Sequence, residues 1–547
     1  MPEILKADVI VIGHGLAGLV AASEAAARRK SVILMDQEGE QSIGGQAFWS
    51  LGGLFMVDTP EQRRMGIKDS PELAHQDWWG SAQFDRDIDA NPKAAAEAYL
   101  EFACSEMRSW LYNKGMRWFP VIGWAERGGE MAHGHGNSVP RFHLTWGTGP
   151  GVVAPFEAEV RDAQKAGRVT FAFRHRVTGV DFKTRRVSGE VLEPTSEERG
   201  RSTTRVPVAG FEAQAEALVI TTGGIGGDHE VVRSHWPVER LGPAPKRMVA
   251  GVPDYVDGQM QRLAQQAGAG VINADRMWHY CEGVQNWNPI WPNHGIRILP
   301  GPSSLWFDAL GERMEAPYLP GFDSLGTLRR ILSTGHEHSW FVLTQKIIEK
   351  EFALSGSEQN PDFTSGSWLQ VLKSRLGKGA TDAVEAFKRE GADFVVAQTL
   401  EELVAGMNKI TPDVPVDVGR IRAQIEARDR EMGNRFSKDM QVTAIHGARN
   451  YRGDKLIRTA KPHRILDPSA GPLIAVRLNV LTRKSLGGLH TDVNARLLDN
   501  SGQVLDGCFA AGEVAGFGGG GYHGYNALEG TFLGGCIFSG RVAGRNV

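Results

Sequence analysis

The sequence predicts an α/β fold whose first domain is built on a buried parallel sheet, and three observations carry that prediction. An apolar, β-branched run, Ala7 to Ile12, has the length of a buried parallel strand. Gly13-His14-Gly15-Leu16-Ala17-Gly18 follows it at once and opens a helical stretch of small residues. A second apolar run, Ser31 to Met35, ends on Asp36. Strand, glycine turn, helix, strand and terminal acid in this order make a dinucleotide-binding unit. Gly13 permits the tight turn, Gly15 lets backbone approach a pyrophosphate, and Gly18 lets the helix pack on the strand. The helix N-terminus, with Leu16 and Ala17, then faces the phosphates, and Asp36 accepts from a ribose hydroxyl. Taken alone, the stretch suits NAD and FAD equally.

At 547 residues the chain is long enough for two or more domains with substantial cores. Its 61 basic and 64 acidic residues leave a net charge of -3 without any basic stripe, so no nucleic-acid partner is expected. Cys104, Cys281, Cys508 and Cys536 lie far apart and match no metal or redox spacing, which fits a reducing cytoplasm. His14 and the glycines interrupt the apolar start, which therefore reads as the first strand of the fold and not as a signal peptide. No later run approaches the roughly 20 apolar residues that span a bilayer, so no integral membrane segment is expected.

After Asp36, the segment EGEQSIGGQAFWSLGGLF holds two glycine pairs, Gly44-Gly45 and Gly52-Gly53, with Gln46 and Ser50 between them. Paired glycines let backbone come close to a planar ring, and small polar positions bond to it. Here the sequence resembles the FAD-containing family of fumarate reductase, succinate dehydrogenase and 3-ketosteroid dehydrogenase. The resemblance implies that the second pair lies beside the isoalloxazine. It also places Gln46 where members with covalent flavin carry a histidine, so the FAD is expected to be non-covalent.

Residues 60–115 read as helical and close on Gly115. Residues 116–155 set aromatics and histidines among glycines and read as an ordered loop at the lip of a pocket. His133 and His135 lack a third spaced ligand, so no metal site is expected, and Trp118, Trp124 and Trp146 read as core. From Val169 to Leu192 the period drops to two, with a charged exposed connection at 193–205. The strand Ala217 to Thr221 ends in Thr221-Thr222-Gly223-Gly224, which resembles the glycine signature of two-dinucleotide-binding flavoproteins and implies a second approach to the FAD.

Composition changes near residue 270, and residues 271–480 read as an inserted domain. SSLWFDALGERM has the strand–turn–strand look of the family's capping domain, SWFVLTQKIIEKEF reads as strand then helix, and the mixed-charge segments beyond Gly366 read as helical, VEAFKREGADFVVAQTLEELVAGMNKI among them. Closure of such an insertion over a flavin excludes water from the reaction. The chain returns with SLGGLHTDVNARLLDNSGQVLDGCFAAGEVAGFGGGGYHGYNALEG, which resembles the family's ending most specifically. The resemblance makes Glu513 the acid at the ribityl or ribose side of FAD, with Gly512 allowing close approach. It starts the last helix near Asn526, aiming its N–H groups at the flavin. It carries further cofactor contacts to Gln37, Val177, Ala527 and Leu528. The architecture implied is a Rossmann-type, glutathione-reductase-like FAD-binding domain at 1–270 and 481–547, with an α+β capping domain at 271–480.

Departures from the family narrow the chemistry. Ala527 stands where fumarate reductases hold an arginine, PYLPGFDSLG near Gly321 offers no cation, and the substrate-binding histidine falls at Tyr280 or its neighbour His279. Without bidentate guanidinium groups, fumarate and succinate are poor substrates. His523-Gly524-Tyr525 resembles the tyrosine segment of ketosteroid dehydrogenases. That implies polarisation of a carbonyl by Tyr525 and the backbone near Glu529 and Gly530. Tyr280, or a capping-domain histidine such as His336, then removes the α-proton as hydride passes to flavin N5, with His523 a fourth candidate. The expected function is FAD-dependent α,β-desaturation of an apolar carbonyl compound. The rivals are reduction of an unsaturated acid and a flavoprotein electron carrier serving a protein partner. No haem-attachment or iron–sulfur cysteine pattern exists, so an external electron acceptor is required. A homo-oligomer is neither demanded nor opposed by the sequence.

Overall fold

In this computed structural model, residues 4–123, 133–134, 136–376 and 379–547 are described; His135 and Trp124 lie outside them. Two eight-stranded sheets organise the chain. The first runs in the order Arg496–Leu498, Val504–Ala510, Pro207–Ile220, Leu5–Ile12, Val32–Asp36, Val169–Phe173. Its centre is parallel: Ile12 pairs with Met35 on one side and with Ile220 on the other, and Ala510 continues beside Ile220. Three strands therefore end at one edge, where Gly13, Thr221 and Ala511 begin loops. This is the carboxyl edge at which open α/β sheets bind ligands.

The first helix, Leu16–Ala27, lies almost wholly buried against the last one, Thr531–Asn546. Glycine sets the distance between them: a Cβ on Gly540 would stand 2.5 Å from the Ala17 carbonyl oxygen, and one on Gly544 2.4 Å from that of Ala21. The amino- and carboxyl-terminal segments are thus one packing unit. Residues 60–115 form the expected helices. Thr59 closes a capping box on Pro60–Arg64, Ser70 caps Pro71–Ala82, and Gly115 follows the helix end at Asn113 with φ +97°.

The second sheet runs Leu305–Asp308, His338–Thr344, Leu473–Ser485, Met277–Gln285, Gly295–Leu299, Ala353–Leu354, largely antiparallel. Its longest strand, Leu473–Ser485, has 13 residues and carries the chain back toward the first sheet, delivering Arg483, Lys484 and Ser485 to the junction. The segment SWFVLTQKIIEKEF becomes a strand ending at Thr344 and a helix over Gln345–Glu351, as expected.

Two expectations change. Residues 116–155 are not a loop throughout: Phe142–Leu144 is a strand, and an 18-residue helix spans Thr148–Lys165. Its glycines obscure the helical pattern because close approach demands them. A Cβ on Gly149 would meet the Phe48 carbonyl oxygen at 2.2 Å, and one on Gly151 that of Trp146 at 2.3 Å. The segment VEAFKREGADFVVAQTLEELVAGMNKI is interrupted by a strand, Phe394–Ala397, whose β-branched run pairs with Leu473–Val476.

Candidate active site

One cavity runs along the carboxyl edge of the first sheet and continues under the second. At its first end Gly13 turns with φ +106°, and a Cβ there would lie 2.7 Å from the Thr221 carbonyl oxygen. The Thr221 hydroxyl donates toward the carbonyls of Ile12 and Gly13 at 2.9 and 2.8 Å, locking the two strand ends together. A Cβ on Gly18 would sit 1.9 Å from the Gly13 carbonyl oxygen, so this glycine serves turn–helix packing and does not line the cavity. Gly15, Leu16 and Ala17 do line it. The Leu16–Ala27 helix has no side-chain cap and no acid in its first turn, which leaves its first N–H groups for an anion. Asp36 is held by the backbone N–H groups of His14 and Glu38 at 2.9 and 2.8 Å, with Gln37 beside it on the wall. Its remaining lone pairs suit a ribose diol. His14 Nε2, buried on the same wall, bonds to none of the described residues. An unpaired helix end, a fixed acid and a buried orphan nitrogen together fit the nucleotide half of FAD.

Farther along, Gly44, Gly45, Ser50, Gly52, Gly53, Val177, Thr222, Gly223 and Gly512 line the cavity. Gly45 packs so closely that its Cβ would stand 3.2 Å from Gly15 Cα. Gln46 donates to Glu513 at 2.5 Å and accepts from Lys484 Nζ at 2.7 Å, while Ser485 N–H donates to Glu513 at 2.9 Å. Three distant segments are joined by that network, and burial holds the Lys484 ammonium below its usual pKa. Gly224 lies behind the wall: a Cβ there would collide with the Glu513 carboxylate at 2.3 Å.

The far end is walled by Phe142, Leu299, Phe532 and Leu533, with Tyr280, Arg297 and Glu529 projecting among them. Arg297 Nη1 donates to Glu529 at 2.5 Å, and the Tyr280 hydroxyl donates to the same oxygen at 3.2 Å. The guanidinium lies over the Tyr280 ring, 3.6 Å from its centroid. Glu282 stands 3.8 Å from Arg297 Nε, and burial pushes its carboxyl above the usual range. His279, adjacent to Tyr280, points elsewhere; it stacks on Trp236, accepts from Arg483 N–H, and burial lowers its pKa to about 3.

Other expected residues lie outside this cavity. The last helix starts at Thr531 behind Gly530, not near Asn526, because Gly530 adopts φ +91° and its carbonyl accepts from Phe55 N–H. Asn526 donates to the Ser81 carbonyl, and it, Ala527 and Leu528 are buried without lining the cavity. Tyr525 sits in a separate cluster: its hydroxyl faces Asp85 at 3.3 Å, and Arg240 and Arg276 lie over its ring at 4.0 and 4.2 Å. His523 is buried, stacked against Trp78 and bonded through Nε2 to the Thr531 hydroxyl, so it braces the helix start. His336 is half-buried in the turn before His338–Thr344, away from the cavity.

Arg297, Glu282, Lys484 and the Glu529 side chain escaped the sequence reading. A signal was present: Glu282 interrupts the run MWHYCEGV and Arg297 the run GIRIL, and a lone charge inside an apolar strand marks a paired or functional group.

The family described as FAD binding domain matches residues 8–533. A KsdD-like steroid dehydrogenase of Mycobacterium tuberculosis is 58% identical over 546 residues, covering 99% of this chain and 96% of that protein. Among solved structures, 3-ketosteroid delta1-dehydrogenase from Sterolibacterium denitrificans is similar at a TM-score of 0.66 and 15% identity, covering 99% of each chain. The 3-ketosteroid-delta4-(5alpha)-dehydrogenase of Rhodococcus jostii RHA1 is similar at a TM-score of 0.61 and 19% identity, covering 99% of this chain and 97% of that one. At such identities these structures speak for the fold.

Proposed function

Since the chain belongs to the FAD binding domain family and is an FAD-dependent oxidoreductase, we propose that it is a dehydrogenase introducing a double bond α,β to the carbonyl of a steroid or similar apolar cyclic ketone. Bound FAD supplies the hydride acceptor for that chemistry. The FAD is bound without a covalent link, since Gln46 has no nucleophilic atom and its amide is engaged by Glu513 and Lys484.

The observation that carries the reading is the makeup of the far end of the cavity. A phenol, Tyr280, enters between apolar and aromatic walls, and the guanidinium there is ion-paired to Glu529. Such a site receives an apolar carbonyl compound better than a dicarboxylate, whose recognition needs guanidinium donors turned to the substrate. Tyr280 acts on the α-hydrogen. Its distance from Glu529 is that of a working acid–base contact. Tyr280→Phe, with its FAD retained, loses about 100-fold or more of the turnover.

The test is anaerobic addition of 3-ketosteroids to the yellow holoprotein, beginning with 4-androstene-3,17-dione, the ligand in the Rhodococcus structure. Bleaching of the flavin and a product lacking one pair of hydrogens is the expected outcome. A flavin that stays oxidised across the panel, yet is reoxidised by an unsaturated acid after chemical reduction, overturns the reading in favour of a reductase.

A further inference from the structure

Resting on that reading, we propose that Glu529 is the proton acceptor behind Tyr280, so that phenol and carboxylate, fixed together by Arg297, remove the substrate's α-proton as one unit. A neutral phenol cannot take a proton without giving up its own. The Tyr280 O–H is directed at a carboxylate oxygen of Glu529, and that oxygen is pinned by Arg297 Nη1. All three residues line the cavity, and their exposures of 4% for Tyr280, 7% for Glu529 and 3% for Arg297 keep bulk water from competing for the proton.

The backbone also favours the arrangement. Tyr280 sits between two register breaks in the pairing of Met277–Gln285 with Leu473–Ser485, the irregularity that re-aims a side chain from a strand. Glu529 immediately precedes Gly530, whose left-handed turn opens the last helix. Arg297 comes from a third segment, the buried strand Gly295–Leu299. Convergence of three segments on one carboxylate oxygen is costly unless used, because two acids and one base are taken out of water here.

The step balances without any oxidant. The α C–H bond breaks and its proton passes to Tyr280 Oη. The phenol proton passes to Glu529, and the electron pair stays on the substrate as an enolate. One negative charge thus moves from Glu529 to the enolate oxygen, and Arg297 remains cationic beside Glu529. Among the described residues, Glu282, on the strand of Tyr280, stands 3.8 Å from Arg297 Nε, and Arg297, on the next strand, lies against both members of the pair. With Glu282 held toward its neutral form, the Arg297 charge is directed to Glu529.

The experiment measures deuterium uptake α to the carbonyl of 4-androstene-3,17-dione in heavy water. The FAD of the holoprotein is kept reduced, so that proton transfer is read without hydride transfer. Glu529→Gln preserves shape and hydrogen bonding but cannot take the proton. Its exchange rate falls about 100-fold with FAD content and steroid affinity unchanged. Its residual rate climbs with pH as solvent base replaces the carboxylate, and Glu529→Asp recovers at least part of the rate. A Glu529→Gln rate within twofold of the parent, or an unchanged pH profile, overturns the relay while leaving the dehydrogenase reading intact. A parent protein that neither exchanges nor bleaches with any ketosteroid overturns both. If Glu529→Gln loses its FAD, Glu529→Asp decides: a rate as low as that of Tyr280→Phe, with FAD bound, overturns the relay.

Discussion

The two ends of the cavity are built by different means. At the nucleotide end the ligand meets backbone: Gly13, Gly15 and Gly45 bring main chain to the wall, and a helix end offers N–H groups. At the far end, proposed above as the reaction end, side chains project into the cavity, a phenol, a guanidinium and a carboxylate from three separated segments. The first design tolerates few residues at a few consecutive positions. The second tolerates many, provided that the tertiary contacts form. The dinucleotide turn is therefore locally encoded, whereas the far end is distributed over the fold.

The largest expected effect follows from breaking the backbone end alone. Gly15 has an ordinary helical-entry φ of -66°, and nothing but the Thr221 carbonyl, at 4.0 Å, approaches the position of a Cβ. Gly15→Val should therefore fold with unchanged circular dichroism yet emerge from gel filtration colourless and inactive. A yellow Gly15→Val protein would break the distinction between the two ends.

At the side-chain end, Arg297→Met leaves Glu529 and Glu282 buried without their cation. Unfolding measurements should report a loss of about 3–5 kcal/mol, and Glu529→Leu added to it should restore part of that stability. Retention of FAD by the single variant sharpens the comparison, since Arg297 is not needed at the nucleotide end.

Acid stability separates the regions more gently. His279 and His294 belong to the second sheet and its loops, and burial lowers their pKa values to about 3; His143, within the strand Phe142–Leu144, is lowered to about 4. The unfolded chain binds protons at these histidines near the ordinary value of 6.5, while the folded chain stays neutral there. Stability is thus fully present above pH 6.5 and declines as the pH falls through 4 to about 3. Thermal melts across that window should show it, with a shallower slope for the His279→Leu, His294→Leu double variant. The smallest effect is expected for Tyr525→Phe. Its hydroxyl meets Asp85 outside the cavity, and turnover should change by less than about threefold. A loss comparable to that of Tyr280→Phe would move the reaction end toward the arginine cluster.

Much of the nucleotide end was legible because its residues are adjacent in sequence and their spacing is fixed by one strand–turn–helix. Gly13, Gly15 and Asp36 stand where the motif puts them. Gly18 packs the helix against the turn as the motif has it, whereas Gly224 is glycine for the sake of the Glu513 side chain, behind the cavity wall. At the far end the sequence pointed to Tyr280 and to the backbone near Glu529 and Gly530, all of which line the cavity, but not to Arg297. Tyr525 and His523 share the segment of Glu529, but the turns between them send the first toward Asp85 and the second toward Trp78 and Thr531.

By itself the sequence determined the α/β class and the dinucleotide turn, since each rests on local periodicity and on positions where only glycine is sterically allowed; the return of the final segment to the first sheet was implied by the family resemblance alone. Only the tertiary structure decided that Arg297 and Glu529, 232 residues apart, share an ion pair under Tyr280. Strand pairing and a register break set that encounter, and neither leaves a mark at a fixed spacing in the chain.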